Sequence, residues 1–365
     1  MNQTNQRMTI GAGERAALEQ AGIYFHNAKV ILGQNDPWAT NFALAMDAQP
    51  TLVSTPNAGI PTYLTTIVDP EIIRILTSPN KAAGIIGERR KGSWTDQTAM
   101  FPVSEVTGEV SSYGDYTANG RAGLNVAFPQ RQSYLFQTIV NYGDLEAERM
   151  GLAKIQWAAD LNKGAAAILD KFMNLSYFYG ISGLQNYGIL NDPALSAPIA
   201  PALKAYGGTK WLVGSVQQAT ANEVYADIQS LYTQLVLQGG GLIDDETPMV
   251  LVMSPKSKTA LKATNQFGIN VATLLAENFP KLKVETAVQY GALTTSNPQG
   301  NPAGEFVQLI ALNVQGQDTG FTAFNEKLRS FPLFRDLSSF RQKFTSGSWG
   351  AIIRLPYSYA GLLGV

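Results

Sequence analysis

The side chains that could do chemistry are few and scattered along the sequence. Asp244, Asp245 and Glu246 form a dense run of carboxylates, and carboxylate oxygens are the ligands that hard cations such as Ca²⁺ and Mg²⁺ prefer. The three acids precede Pro248 in a predicted turn, and no second acidic cluster matches them. The spacing therefore favours a solvated loop, with metal binding as the alternative interpretation.

The sequence contains few of the residues that nucleophilic catalysis requires. His26 is the only histidine, it lies beside Tyr24 and Phe25, and there is no cysteine. A Ser-His-Asp triad would have to use His26, and the Gly-x-Ser-x-Gly motif of hydrolases is absent from the sequence. We expect no catalytic, cofactor-binding or metal-binding residues, no cofactor and no enzyme activity.

Phosphate binding has two candidate segments. The run Glu88-Arg89-Arg90-Lys91-Gly92 is the one basic cluster; it predicts either contact with phosphate or an acidic partner, or a solvated turn, which is favoured. The run Gly239-Gly240-Gly241 follows a predicted helix rather than a strand, which argues against a phosphate-binding loop. The 15 tyrosines and 16 phenylalanines fall mostly in alternating strand patterns, which indicates cores and interfaces rather than stacking on single-stranded nucleic acid.

The charge balance narrows the function classes further. The 27 basic and 28 acidic residues give a net charge of -1, whereas a dedicated nucleic-acid-binding surface or a polybasic membrane anchor would show a basic excess. Charged residues make up 15% of the chain, against about 25% in typical domains, and depletion of charge is typical of interface cores. The polar start of the sequence lacks a signal peptide's apolar region, and no apolar run approaches ~18 residues. We therefore expect that the chain does not associate with a membrane and that it is made and assembled in the cytoplasm.

The central element of the predicted fold is one long amphipathic helix from Asp144 to Phe178. Apolar residues recur every three or four positions along it, which places them on one face. Acidic residues at its start favour the positive end of the helix dipole, and Gly180 is predicted to end it. Gly151 and Gly164 lie inside it, where each either is simply tolerated or allows another backbone to approach closely.

Two segments flank this helix on its N-terminal side. Residues 35–61 are broken by four prolines and predict an extended arm laid on another surface. Residues 98–142 alternate apolar and polar residues around Asn119-Gly120, which predicts a hairpin with a tight two-residue turn. A ribbon of that length is not stable alone in water, so we expect it to lie on a neighbouring subunit.

The region after the helix reads as mixed helix and strand. The spacing predicts a helix over Ala221–Leu237 that is ended by the three glycines, short helices over 256–263 and 270–278, and strands over 249–253, 282–288 and 306–314.

The order of these parts resembles that of the major capsid proteins of tailed bacteriophages, which share the Hong Kong phage-type fold. The resemblance also rests on Gly183-Leu184 followed by Gly188-Ile189-Leu190-Asn191-Asp192-Pro193, and on the closing segment from Ser346 to Tyr357. It implies an α+β capsid-type fold with an N-terminal arm, an extended β-hairpin loop, a peripheral domain with a long spine helix, and an axial domain. The implied parts are the arm (1–60), the lead into the peripheral domain (61–95), the hairpin loop (96–141), the spine helix and peripheral domain (142–189), the axial domain (190–330) and the return to the peripheral sheet (331–365).

The resemblance implies a structural function: self-assembly into the icosahedral shell of a virion that encloses phage DNA. The partners it implies are further copies of the chain as pentamers and hexamers, a separate scaffolding protein, portal and decoration proteins, and packaged DNA held by weak non-specific contacts. Two alternatives stay open from the sequence. One is a nanocompartment shell of the same fold that encloses cargo enzymes, and the other is an α+β enzyme with a site made of carboxylates alone.

Overall fold

The structure is a computed structural model that describes residues 79–152 and 156–365. The expected arm over residues 1–60 and the candidate His26 lie outside the described residues.

The described chain contains six α-helices and seventeen strands. The helices are α1 (Ala82–Ile86), α2 (Asp144–Leu152), α3 (Trp157–Tyr179), α4 (Ala221–Gln238), α5 (Pro255–Lys258) and α6 (Val271–Asn278). The strands are β1 (Glu88–Arg90), β2 (Thr98–Met100), β3 (Val103–Glu109), β4 (Arg121–Ala127), β5 (Gln130–Gln132), β6 (Tyr134–Gly143), β7 (Leu212–Val213), β8 (Val216–Gln217), β9 (Met249–Met253), β10 (Leu282–Thr286), β11 (Phe306–Ala311), β12 (Asn313–Val314), β13 (Gln317–Asp318), β14 (Gly320–Ser330), β15 (Phe334–Arg335), β16 (Ser339–Ile353) and β17 (Tyr359–Leu363). Short 3₁₀ turns follow at Thr259–Lys262, Val288–Tyr290 and Pro356–Ser358.

A five-stranded sheet carries the long helix α3. Its strands run β1-β14-β16-β15, and β6 also pairs with β16. Facing residues of β6 and β16 alternate between the two sides of the sheet; Val140 and Phe344 pack against Ala165 and Leu169 of α3. The other side of β6 exposes Leu135 and Ile139. Helix α3 therefore covers one face of this sheet.

The predicted single helix over 144–178 is interrupted in the structure. Helix α2 ends at Leu152 and α3 begins at Trp157, because Gln156 has a non-helical backbone with φ -83° and ψ 64°. None of the residues of α2 is fully buried, so packing among the described residues offsets the helix-weakening Gly151 only weakly. A Cβ added at Gly151 or Gly164 would meet nothing within 4 Å, so neither glycine serves a close approach inside the subunit. Gly180 ends α3 as predicted, with φ 63°.

A four-stranded sheet forms the second core, in the order β10-β9-β11-β17. β9 pairs parallel with β10 and antiparallel with β11, and β11 pairs antiparallel with β17. Every residue of β9 and of β11 is buried. Leu231 of α4 packs into this core with Leu251 and Leu309, so α4 covers one face of the sheet.

The two sheets share apolar contacts on the other side. Met173 and Phe178 of α3 lie in one cluster with Val250 and Ile310 of the four-stranded sheet. The ring of Phe178 meets the ring of Tyr290 edge-on at 6.0 Å between centroids. The C-terminal half of α3 therefore joins the two sheets.

Strand pairing distributes the C-terminal part of the chain over both sheets. β14, which lies within the expected axial part (190–330), begins at Gly320 and pairs with β1 and β16 in the five-stranded sheet. β17, inside the expected return over 331–365, pairs with β11 of the four-stranded sheet. The pairing of β1 with β14 joins strands that are far apart in the sequence, so local sequence patterns do not encode it.

A ribbon projects from the five-stranded sheet. β2 pairs with β5 at its root, and β3 pairs with β4 beyond it, from Val103 opposite Ala127 to Glu109 opposite Arg121. The predicted two-residue turn at Asn119-Gly120 is wrong: a loop over residues 110–120 joins the strands, and a turn at Gly114–Thr117 lies within it. Gly120, with φ 89°, leads from this loop into β4. The Asn-Gly pair therefore forms the end of the loop, and the chain reverses before it.

Candidate interaction surface

The ribbon of β3 and β4 exposes apolar side chains that none of the described residues covers. Every residue of β4 is exposed, and all but one of β3. Val106 is 82% exposed, Leu124 59% and Val126 47%. Exposed apolar side chains grouped on one element indicate an interaction surface.

The two faces of this ribbon differ in chemistry. Directly opposed residues share a face of a strand pair, and successive residues alternate. One face pairs Val106 with Leu124 and Ser104 with Val126, while the other pairs Glu105 with Asn125. We call these the apolar face and the polar face of the ribbon. An apolar face without a core of its own is stabilised only when another surface covers it.

The polar face also carries the charges of the ribbon. Glu109 lies opposite Arg121 and on the same face as Glu105. This face suits solvent, so the apolar face is the one that requires a partner.

A buried ion pair fixes the root of the ribbon. Nη2 of Arg131, next to β4 in β5, lies 2.8 Å from Oδ2 of Asp192, whose side chain is completely buried. The Arg131 guanidinium also stacks over the ring of Tyr187 at 5.0 Å, and Oδ1 of Asp192 accepts a hydrogen bond from the backbone N–H of Ala194. The loop after α3 thus holds the ribbon's base.

Hydrogen bonds of Gln132 and Asn186 make a second attachment at the root. The backbone N–H of Gln132 donates to the carbonyl of Gln185 at 2.9 Å. The Asn186 side-chain amide donates at 3.0 Å to the carbonyls of both Gln132 and Ser348, and Ser348 belongs to β16. The ribbon is therefore exposed at its tip and fixed at its base.

A second exposed apolar area lies at the far end of the five-stranded sheet, next to α2. Leu333, Phe334 and Leu337 are 47%, 66% and 98% exposed, respectively. The backbone N–H of Asp144 at the start of α2 donates to the carbonyl of Ser338, which brings the exposed Leu145 to the same end. We call this area the sheet tip.

The predicted carboxylate cluster is a turn in the structure. Oδ1 of Asp244 accepts a 2.6 Å hydrogen bond from the hydroxyl of Thr247, which lowers the pKa of Asp244. Glu246 lies 3.7 Å from the ammonium of Lys281. Within the described ranges no group of three or more His, Cys, Asp or Glu side chains could hold a metal ion. The cluster's geometry is that of the solvated loop.

Most of the predicted basic cluster is a strand rather than a turn. Its residues Glu88, Arg89 and Arg90 form β1, which pairs with β14. Arg89 lies 2.6 Å from Asp318, and Arg90 lies 3.4 Å from Glu326. Glu88 accepts a hydrogen bond from the Tyr177 hydroxyl, and burial together with this carboxylate raises the pKa of Tyr177. Both arginines are thus neutralised by carboxylates of the subunit itself.

The candidate phosphate-binding run of three glycines is the end of a helix in the structure. Gly239 ends α4, and Gly240 and Gly241 follow with positive φ, as the helix prediction required. Across residues 79–152 and 156–365 no helix combines the length and the apolar character needed to cross a membrane.

Reasoning from the sequence missed the attachments of the ribbon and the sheet tip. Arg131 and Asp192 are separated by 61 positions, and no local sequence pattern predicts a pair at that distance. The sheet tip did leave a signal, because Leu333, Phe334 and Leu337 stand close together around Asp336, as in a turn with apolar residues on its surface.

Comparison with known proteins gives a match to one family and to several solved structures. A family model described as Pa193 gp26 major capsid protein matches residues 51–364. Comparison with curated proteins gives no match.

The solved structures share the fold at low sequence identity. "The capsid of Myoviridae Phage XM1" matches with a TM-score of 0.67 and 13% identity, over 85% of this chain and all of that one. "Capsid of native GTA particle computed with C5 symmetry" matches with a TM-score of 0.54 and 12% identity, over 87% of this chain and 99% of that one. "Gordonia phage Cozz" matches with a TM-score of 0.53 and 9% identity, over 82% and 90% of the two chains.

Proposed function

Because this chain belongs to the Pa193 gp26 major capsid protein family, we propose that its ribbon closes the capsid shell by laying its apolar face on a neighbouring copy. The α+β fold class and the resemblance to tailed-phage capsid proteins are confirmed. The chain is a shell-forming structural protein and a component of the virion.

The observation that carries the proposal is the two-faced ribbon on a fixed base. The base is held by the Arg131–Asp192 ion pair, so the ribbon leaves the subunit in a defined direction. Covering Val106, Leu124 and Val126 would remove apolar surface from water, and each such side chain contributes about 2 kcal/mol when fully buried. Many such weak contacts around a closed ring add up to a stable shell.

We further propose that the chain is divided, in sequence order, into an arm, a hairpin loop, a peripheral part around α3 and an axial part around the four-stranded sheet. Copies would form pentamers and hexamers of an icosahedral shell in the host cytoplasm, with a separate scaffolding protein, a portal, decoration proteins and weakly held DNA as further partners. The proposal assigns the chain no enzyme activity. A shell around cargo enzymes is the rival, and nucleic acid in purified particles would exclude it.

The test compares one added charge on the two faces of the ribbon. Val106→Lys puts a cation on the apolar face, and Thr107→Lys puts the same cation one residue away on the polar face. We expect Val106→Lys to abolish shells in negative-stain images and in sedimentation, while Thr107→Lys assembles like the unchanged chain. Both variants should unfold at the same denaturant concentration as the unchanged chain. Normal shells from Val106→Lys would refute the proposed contact.

A further inference from the structure

The loop at the end of the ribbon contains a dipeptide that the assembly role does not use. Asn119-Gly120 is the single Asn-Gly pair in the sequence, and the structure places it in the loop, directly before β4. Gly120 has a structural reason, since its φ of 89° disfavours any side chain and a Cβ there would lie 3.3 Å from Oγ of Ser111. Asn119 has no such reason.

We infer that Asn119 is a site of spontaneous deamidation in the unassembled subunit. The backbone nitrogen of Gly120 attacks the side-chain carbonyl carbon of Asn119 and forms a five-membered succinimide. The side-chain nitrogen leaves as ammonia and carries away the proton of the Gly120 amide. One water molecule then opens the ring at either carbonyl and leaves aspartate or isoaspartate at position 119. Water is the only co-reactant.

Three features of the loop favour this reaction. Asn119 and Gly120 are both exposed, so water reaches the ring. Gly120 has no side chain to crowd the attacking nitrogen. The last paired residues of the ribbon are Glu109 and Arg121, so the dipeptide lies outside the ladder, and within the described residues the Asn119 side chain has no hydrogen-bond partner.

Asn125 provides the contrast within the same ribbon. It is also exposed, but it lies inside β4 opposite Glu105. The branched side chain of Val126 follows it and crowds the nitrogen that would attack. The ladder also holds its backbone extended, so the fold protects Asn125 and leaves Asn119 open.

The reaction changes the ribbon where it turns. A neutral side chain becomes a carboxylate between Asp115 and Arg121, and the isoaspartate form adds a methylene to the backbone just before β4. Subunits that wait unassembled would therefore accumulate an altered ribbon loop.

The test incubates the full chain as unassembled subunits in mildly alkaline buffer and maps its peptides by mass spectrometry. The same chain unfolded in urea serves as the reference. We expect aspartate and isoaspartate at position 119 to form in the folded chain at a rate close to that in urea, while position 125 stays unmodified. Asn119→Gln should remove the product without changing the unfolding midpoint. Strong protection of position 119 in the folded chain, or equal rates at positions 119 and 125, would overturn the inference.

Discussion

The ribbon of β3 and β4 and the central pair of β9 and β11 both contain valine and leucine but have opposite surroundings. β9 reads Met-Val-Leu-Val-Met and is entirely buried, whereas Val106 of β3 is 82% exposed. Valine and leucine favour strands in both places. Residue type therefore indicates that a strand favours burial, and only the structure shows that no described part of the subunit covers the apolar side chains of the ribbon.

We expect the largest difference in stability between the two regions when apolar side chains are shortened to alanine. Leu251→Ala in β9 should lower the free energy of unfolding by about 3 kcal/mol, because it leaves a cavity in a fully buried strand. Val126→Ala on the ribbon should change it by less than about 0.5 kcal/mol, as exposed substitutions do. Denaturant unfolding of unassembled subunits measures both. Equal losses would mean that the ribbon has a core of its own.

The root of the ribbon should respond almost as strongly as a core. Asp192→Ala leaves Arg131 without its carboxylate in a largely buried place, which should cost about 3 kcal/mol. Glu326→Gln removes the charge that pairs with Arg90, whose side chain is 59% exposed, and should cost less than about 1 kcal/mol. Hydrogen exchange of β5 after Asp192→Ala should rise. Unchanged exchange there would show that the ion pair does not fix the ribbon.

A smaller effect on stability is expected at the start of α4, which packs on the four-stranded sheet. Thr220 and Glu223 form a capping box, in which the Thr220 side chain accepts from the N–H of Glu223 and the Glu223 side chain accepts from the N–H of Thr220. Thr220→Ala should cost about 1 kcal/mol, and thermal unfolding measures it. Thr233→Ala, on an exposed turn of the same helix, is the control and should change little.

The same cap gives a small dependence on pH. The hydrogen bonds from Thr220 and Ala205 lower the pKa of Glu223 below its ordinary 4.5. Because the folded pKa is the lower one, the contribution is complete above pH 4.5 and is lost as the pH falls through the folded pKa. Glu223→Gln should flatten that part of the stability curve. An unaltered curve would show that the capping carboxylate contributes nothing there.

Local patterns predicted local structure well. The helix expected over Ala221–Leu237 runs from Ala221 to Gln238, because its capping residue and its terminating glycines lie next to it in the sequence. The strand expected over 249–253 has those bounds. The alternating residues around the ribbon also predicted a paired surface without a core of its own.

The rest depends on contacts between distant residues. β14 pairs with β16 and with β1 in the five-stranded sheet, and the Arg131–Asp192 pair links the base of the ribbon to the loop after α3. The apolar stripe over 144–178 is continuous in sequence, yet the backbone at Gln156 is not helical and no residue of α2 is fully buried. The Asn-Gly turn failed for a related reason, since the wide loop before it had no local signature.

The most direct test of the account uses the absence of cysteine from the chain. Val106→Cys places one thiol on the apolar face, and Asn125→Cys places one on the polar face. Maleimide labelling is measured in unassembled subunits and in purified shells. The account predicts that both thiols react in the subunits, and that in shells the thiol at position 106 is protected while the one at 125 still reacts. Equal labelling of the two positions in intact shells would contradict the claim that another copy covers the apolar face.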